Sequence, residues 1–293
     1  MISLPVPPLP VRRAAPWMKA VSIVAALVAI GAIAVAPAGE RGFLTIATLF
    51  AAGAGLAATS IGIFGGVLVP GLLLLGLDPR VVAPLSLFLQ VLVIPIGATS
   101  HHAMGHVKRH ITVPLVIGGV FGSVSGALLA SSVPREVVTR GVAAIIIMVG
   151  LLVLTSLRTG YAAVSVDNDK VHQSRIGGIG LVSGFASGIS GAGWGPIGVK
   201  LLILSRVEPR YAIGSSLVGR IFMAAAAIAT YAISAATIGG IGLEPLLVVP
   251  LLAGSVAAMI PGTQIVARLG RNRAAAAIAI LSILLALPSL VGL

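Results

Sequence analysis

Long apolar runs separated by short polar links make up the pattern of this chain. The runs occupy 17–36, 43–77, 81–100, 111–132, 137–157, 177–205, 211–236, 243–267 and 273–292. Most are about 20 residues or longer, the length a helix needs to cross a hydrocarbon core of about 30 Å. They are continuous rather than alternating, so they read as helices and not as the strands of a barrel. A polar stretch, "RTGYAAVSVDNDKVHQSR" (158–175), divides one helix plus four segments from four further segments.

The two sets also resemble each other. With a shift of 130 residues, "GGVLVPGLLLLGLDPRVVAPLSLFLQ" (65–90) falls on "GPIGVKLLILSRVEPRYAIGSSLVGR" (195–220), and eight of the 26 positions are identical. Chance can align leucines and valines, but it does not readily align Pro79–Arg80 with Pro209–Arg210 and Ser86–Leu87 with Ser216–Leu217 at one offset. The chain therefore reads as an internal duplication. Residues 1–40 form a lead-in and first transmembrane helix, 41–157 a first repeat, 158–176 a central polar loop and 177–293 a second repeat. The Arg-Arg, apolar run and "AVAPA" near the amino end imitate a secretory leader, and we read the segment as a retained helix.

The first segment of each repeat is too long for one simple crossing. The 35 residues of 43–77 would extend about 52 Å as a helix. Each carries a glycine cluster near its middle, "GIFGG" at 62–66 and "GAGWGP" at 191–196. These predict broken helices or re-entrant hairpins, because freed backbone is tolerated at membrane depth only where it is buried in protein or lines a cavity. If both segments return to the side they entered, 13 loop Lys/Arg lie inside and four outside, against 11 and six for nine single crossings. The first count obeys the positive-inside rule better. It leaves three full crossings per half and so predicts inverted repeats, with the amino end cytoplasmic.

Composition agrees. The 293 residues are 58% hydrophobic and 9% charged, far below the roughly 25% charged residues of soluble domains. Cysteine is absent, which removes disulfides, thiolate metal sites and cysteine nucleophiles. The net charge of +12 is scattered through short loops, so it fits membrane topology or an anionic cargo and not nucleic acid.

The seven acids (Glu40, Asp78, Glu136, Asp167, Asp169, Glu208 and Glu244) all fall at segment ends or in loops, while Lys200 and Arg220 lie within apolar runs. Under the 130-residue shift Lys200 meets Pro70 and Arg220 meets Gln90. Ser86 and Gln90 share one helix face, as do Ser216 and Arg220. A transported anion would supply the missing countercharge. Backbone amides at Gly65–Gly66 and Gly193–Gly195 would add donors, and Trp194 would form a wall or gate. Ser60, Ser86, Ser187, Ser190, Ser215 and Ser216 are candidate donors to the anion; the bland alternatives are that these serines bond within their own helices or permit close packing, that Lys200 snorkels to the interface, and that Trp194 is an interfacial anchor.

In "HHAMGHVKRH" (101–110), His102, His106 and His110 recur every fourth residue. That spacing suits a metal on one helix face, but Lys108 and Arg109 repel a cation, so an interfacial cytoplasmic loop fits better. "GISG" (188–191) imitates an intramembrane serine protease, yet the last histidine is His172, and a serine nucleophile needs a base.

The glycine signatures "GIFGGVLVP" (62–70) and "SGFASGISGAGWGPI" (183–197), each followed by an apolar run, a "[DE]PR" turn and a Ser-Leu helix start, resemble the TauE/SafE sulfite exporter family over roughly 43–292. The resemblance implies a bacterial inner-membrane carrier of small sulfur-containing anions, such as sulfite or sulfonates, often acting as an exporter. It implies no cofactor, and it places two related helical halves around central glycine signatures. Two positions depart from the usual pattern. "IFGG" stands where a third consecutive glycine is common, and Lys200 stands where an apolar residue or proline is usual. The expected site is then Lys200, Arg220, Trp194, Ser86, Gln90, Ser216, Gly65, Gly66, Gly193 and Gly195, between the repeats. An anion channel of the same architecture and a non-transporting membrane scaffold are the rival readings. The expected partners are a small anion and the bilayer, with a coupling ion and a homo-oligomer left open.

Overall fold

A computed structural model describes residues 16–61, 63–159, 172–235, 245–269 and 271–292. Most of the lead-in, the centre of the 158–176 loop and Gly62 lie outside the described residues. Among the described residues the chain is helical throughout, with α1 Pro16–Val35, α2 Arg41–Ile61, α3 Gly65–Leu74, α4 Pro79–Ala103, α5 Arg109–Ser132 and α6 Arg135–Thr159. After the central loop come α7 Gln173–Ser190, a wide π-type turn at Gly195–Val199, α8 Lys200–Leu204, α9 Pro209–Ala235, α10 Pro245–Leu269 and α11 Arg271–Val291. Among the described residues five stretches are long and apolar enough to cross a membrane: Arg41–Ala58, Arg109–Ser132, Arg135–Leu157, Pro209–Ser234 and Asn272–Val291. Shorter apolar helices accompany them, and the chain is a multi-pass membrane protein.

Both long segments are broken at their glycine clusters. α2 ends at Ile61 and α3 begins at Gly65, while α7 ends at Ser190 and helical structure resumes at Gly195. The ten residues of α3 reach about 15 Å, half a hydrocarbon core, and every residue from Gly65 to Leu73 is buried. A helix apolar on all sides belongs inside a bundle, and α3 is there, packed against α2, α4 and α11.

The 130-residue correspondence extends to the backbone. α3 starts at Gly65 and the matching piece at Gly195; α4 starts at Pro79 and α9 at Pro209. After α3, Gly76 (φ +83°) turns left-handed, and Leu77 N–H reaches back to Leu72 O at 3.3 Å. After α8, Arg206 (φ +70°) does the same, and Val207 N–H reaches Leu202 O at 3.1 Å. Both are helix ends closed by a left-handed residue that satisfies orphan carbonyls, but only one of them uses glycine.

Neither half closes on its own. α5 lies along α7 and α2 along α10, so the leading helix of each half packs into the other; α4 meets α9 and α6 meets α11. The α5–α7 contact rests on two interlocking glycine stripes. A Cβ added at Gly118, Gly122 or Gly126 would come within 2.0–2.4 Å of the carbonyls of Gly177, Leu181 and Phe185. One added at Gly180, Gly184 or Gly188 would come within 2.3–2.4 Å of those of Leu115, Gly119 and Ser123. Lipid gives helices no hydrophobic reason to associate, so this backbone-to-backbone approach is what holds the pair. The four-residue glycine spacing is visible in the sequence; which helix it faces is not.

Candidate functional site

The second break lies against α4. Gly191 closes α7 in the left-handed region (φ +66°), its N–H donating to Ser187 O at 2.7 Å. Its carbonyl turns out of the helix and accepts from Ser86 Oγ at 3.0 Å and Gln90 Nε2 at 2.8 Å. Gln90 Nε2 also reaches Ser86 Oγ at 3.0 Å, and Gln90 Oε1 accepts from Arg220 Nη2 on α9. Ser86, Gln90 and Arg220 are buried, at 0%, 1% and 5% exposure. This chain of bonds joins α7, α4 and α9 at the junction of the two halves.

The first break meets the second directly. A Cβ at Gly65 would come within 2.4 Å of Gly191 O and 2.7 Å of Ala192 Cα, so only glycine allows the start of α3 to sit there. Gly66 faces Ile63 and the Ser282 hydroxyl on α11. Gly193 packs on Ala186 and Ser187, and Gly195, half-buried, opens the π-type turn. The break therefore presents the Gly191 carbonyl to α4, as an acceptor already satisfied by Ser86 and Gln90.

Trp194 is fully buried rather than interfacial. Its indole N–H donates to Ser216 Oγ at 2.9 Å and Ser216 O at 3.0 Å. Its ring fills the space over Gly119 of α5 and Gly219 of α9, where added Cβ atoms would lie 2.6 and 3.0 Å away. Tyr231 OH ties α9 to Gly188 O at 2.7 Å, an anchor that sequence reasoning did not single out. A lone tyrosine in an apolar run carries no signal of what it reaches.

Lys200 points elsewhere. As the first residue of α8, half-buried, it donates from Nζ to Leu152 O on α6 at 2.8 Å and reaches Thr155 Oγ1 at 3.5 Å. These bonds turn its ammonium toward α6, while Arg220 bonds to Gln90. The partner that sequence reasoning found missing is a backbone carbonyl, which no inventory of acids can reveal. Two ion pairs, Arg135–Asp78 at 3.8 Å and Arg210–Glu208 at 2.5 Å, sit at segment ends where the acids were expected.

The other serines divide by role. Ser190 Oγ donates to Ala186 O and accepts from Ala192 N, and Ser215 Oγ accepts from Lys108 N. Ser187 is wholly buried and its hydroxyl has no hydrogen-bond partner among the described residues. The Ser60 side chain lies outside the described residues. His102, His106 and His110 do not share a helix face: His102 ends α4, His106 lies in the link and His110 begins α5. His106 Nδ1 instead meets His101 Nδ1 at 3.3 Å, and among the described residues no three His, Cys, Asp or Glu gather as a metal site.

Residues 46–288 match the model of the family described as "Sulfite exporter TauE/SafE". The chain belongs to the TauE/SafE family. It is also 27% identical over 202 residues to "Probable membrane transporter protein YtnM" of Bacillus subtilis (strain 168), a match covering 68% of this chain and 66% of that protein's length. No solved structure matches it. This TauE/SafE protein is thus a membrane transporter and not an enzyme, which sets aside the protease reading of "GISG".

Proposed function

We propose that this TauE/SafE transporter carries a small sulfur-containing anion, sulfite or a small sulfonate, outward across the bacterial inner membrane. The cargo binds between two inverted repeats, and the cytoplasmic amino end follows from the excess of Lys/Arg on that side. The observation that carries this reading is Arg220, a guanidinium buried at the junction of the halves and hydrogen-bonded to a neutral amide oxygen. A charge so placed is costly and marks a site of function by default, and an anionic oxygen is a stronger acceptor than an amide.

The duplication supports the location. Gln90 and Arg220 are equivalent under the 130-residue shift, yet they touch. Equivalent positions of two related elements meet only near the axis that relates them, and this supports a cargo site at Arg220, close to the axis that inverted repeats would share. Ser86, Gln90, Ser216 and Trp194 shape it, and the glycines at 65, 66, 193 and 195 let the broken segments approach. Ser187, with its uncommitted hydroxyl, is a further donor at the second break. We assign Lys200 to holding α8 against α6, with its charge acting on the cargo only at a distance.

The test is thermal stability of the detergent-purified protein against sulfite, sulfate, thiosulfate, a small sulfonate and chloride. A ligand that binds only the folded state raises stability with concentration. Selective stabilisation by one sulfur anion, abolished in Arg220→Ala, is the expected result; no shift with any anion in a folded preparation overturns the reading. Counterflow of labelled cargo in proteoliposomes then separates the carrier from a channel, which shows none.

A further inference from the structure

Gln90 has both ends of its amide committed. Oε1 accepts from Arg220, while Nε2 donates to the Gly191 carbonyl at 2.8 Å and to Ser86. The orientation is dictated by its partners: reversing the amide would set NH2 against a guanidinium and an oxygen against a carbonyl. Gln90 thus links the buried cation of α9 to the backbone carbonyl that ends α7, through α4.

The oxygen of Gln90 that Arg220 bonds is of the same kind as an anion would bring, only neutral. An N–H of Arg220 directed at Gln90 Oε1 cannot serve a cargo oxygen at the same spot, and the charged acceptor makes the stronger bond. We infer that Gln90 is an internal stand-in for the cargo: a latch that occupies one N–H of Arg220 in the absence of cargo and yields it when an anion arrives. Release of Oε1 frees the amide to swing, which loosens the grip of α4 on the Gly191 carbonyl at the break. Gln90 is then a positioning residue that reports occupancy to the junction of the halves, and not a ligand of the cargo. This rests on the anion reading above.

The two roles predict opposite signs. Removing a ligand weakens binding; removing a competitor strengthens it. The experiment titrates the purified wild type, Gln90→Leu and Gln90→Glu with sulfite and reads the half-saturating concentration from the thermal shift. The latch predicts that Gln90→Leu binds sulfite about tenfold more tightly, the scale of one charge-assisted hydrogen bond. It predicts that Gln90→Glu, which places a fixed carboxylate against Arg220, is at least as stable as wild type without sulfite and shows no sulfite shift. Gln90→Glu keeps the test decisive if Gln90→Leu does not fold. Weaker binding in Gln90→Leu, or a wild-type response in Gln90→Glu, overturns the latch while leaving the anion site standing. A wild type that no sulfur anion stabilises overturns the anion site, and the latch with it.

Discussion

The glycine stripes of α5 and α7 allow one substitution to be tried at two positions of a single helix with opposite expected signs. A Cβ at Gly184 would lie 2.3 Å from Gly119 O, 2.9 Å from its Cα and 3.0 Å from its carbonyl carbon, all backbone atoms that no rotamer change can move. Ordinary contact begins near 3.4 Å, so Gly184→Ala must part the helices by roughly 1 Å at that point. A gap of that size forfeits about a quarter to a half of each neighbouring dispersion contact, and over-packing of this sort costs about 1–3 kcal/mol. Gly178, six residues earlier on α7, has nothing within 4 Å of its added Cβ. There Gly178→Ala removes only glycine's backbone freedom and stabilises the helix by about 0.5–1 kcal/mol. The assay is the loss of monodisperse protein on heating in detergent, read by size-exclusion chromatography. The expected result is a midpoint several degrees below wild type for Gly184→Ala and at or slightly above it for Gly178→Ala. Equal midpoints for the two variants would refute the close-packed α5–α7 interface.

Arg206 occupies the left-handed position that Gly76 fills in the first half, so Arg206→Gly relieves about 1 kcal/mol of backbone strain and should raise the same midpoint. Trp194→Phe keeps most of the ring but strands the Ser216 acceptors, and should cost about 1–2 kcal/mol; Trp194→Ala, which also empties the space over Gly119 and Gly219, should cost about 3–5 kcal/mol, ranked by chemical denaturation. Lys200→Met should retain the anion-dependent thermal shift that Arg220→Ala loses, since the lysine bonds to Leu152 O. At the end of α4, beyond its apolar Pro79–Pro95 stretch, burial and then the neighbouring His106 lower the affinity of His101 for a proton. The unfolded chain therefore takes up that proton first as pH falls below 6.5, so stability is full above that value and declines below it. His101→Asn should flatten that slope in melts recorded between pH 5 and 8.

The sequence by itself determined what depends on local order. Run lengths specified membrane helices, glycine clusters specified where two of them break, and one repeated offset specified that α3 and α4 recur at Gly195 and Pro209. It also placed Ser86 with Gln90 and Ser216 with Arg220, because four residues make about one helical turn. The tertiary structure decided every pairing across helices. Lys200 finds Leu152 O, 48 positions away, and Gly191 offers its carbonyl to Gln90. Both acceptors are backbone oxygens, identical at every residue, so no side-chain pattern can announce them. The glycine spacing of α5 and α7 was in plain view, but a stripe of small residues states only that some backbone comes close. Which backbone it is depends on how the two halves interlock, and that is settled by packing over the whole chain.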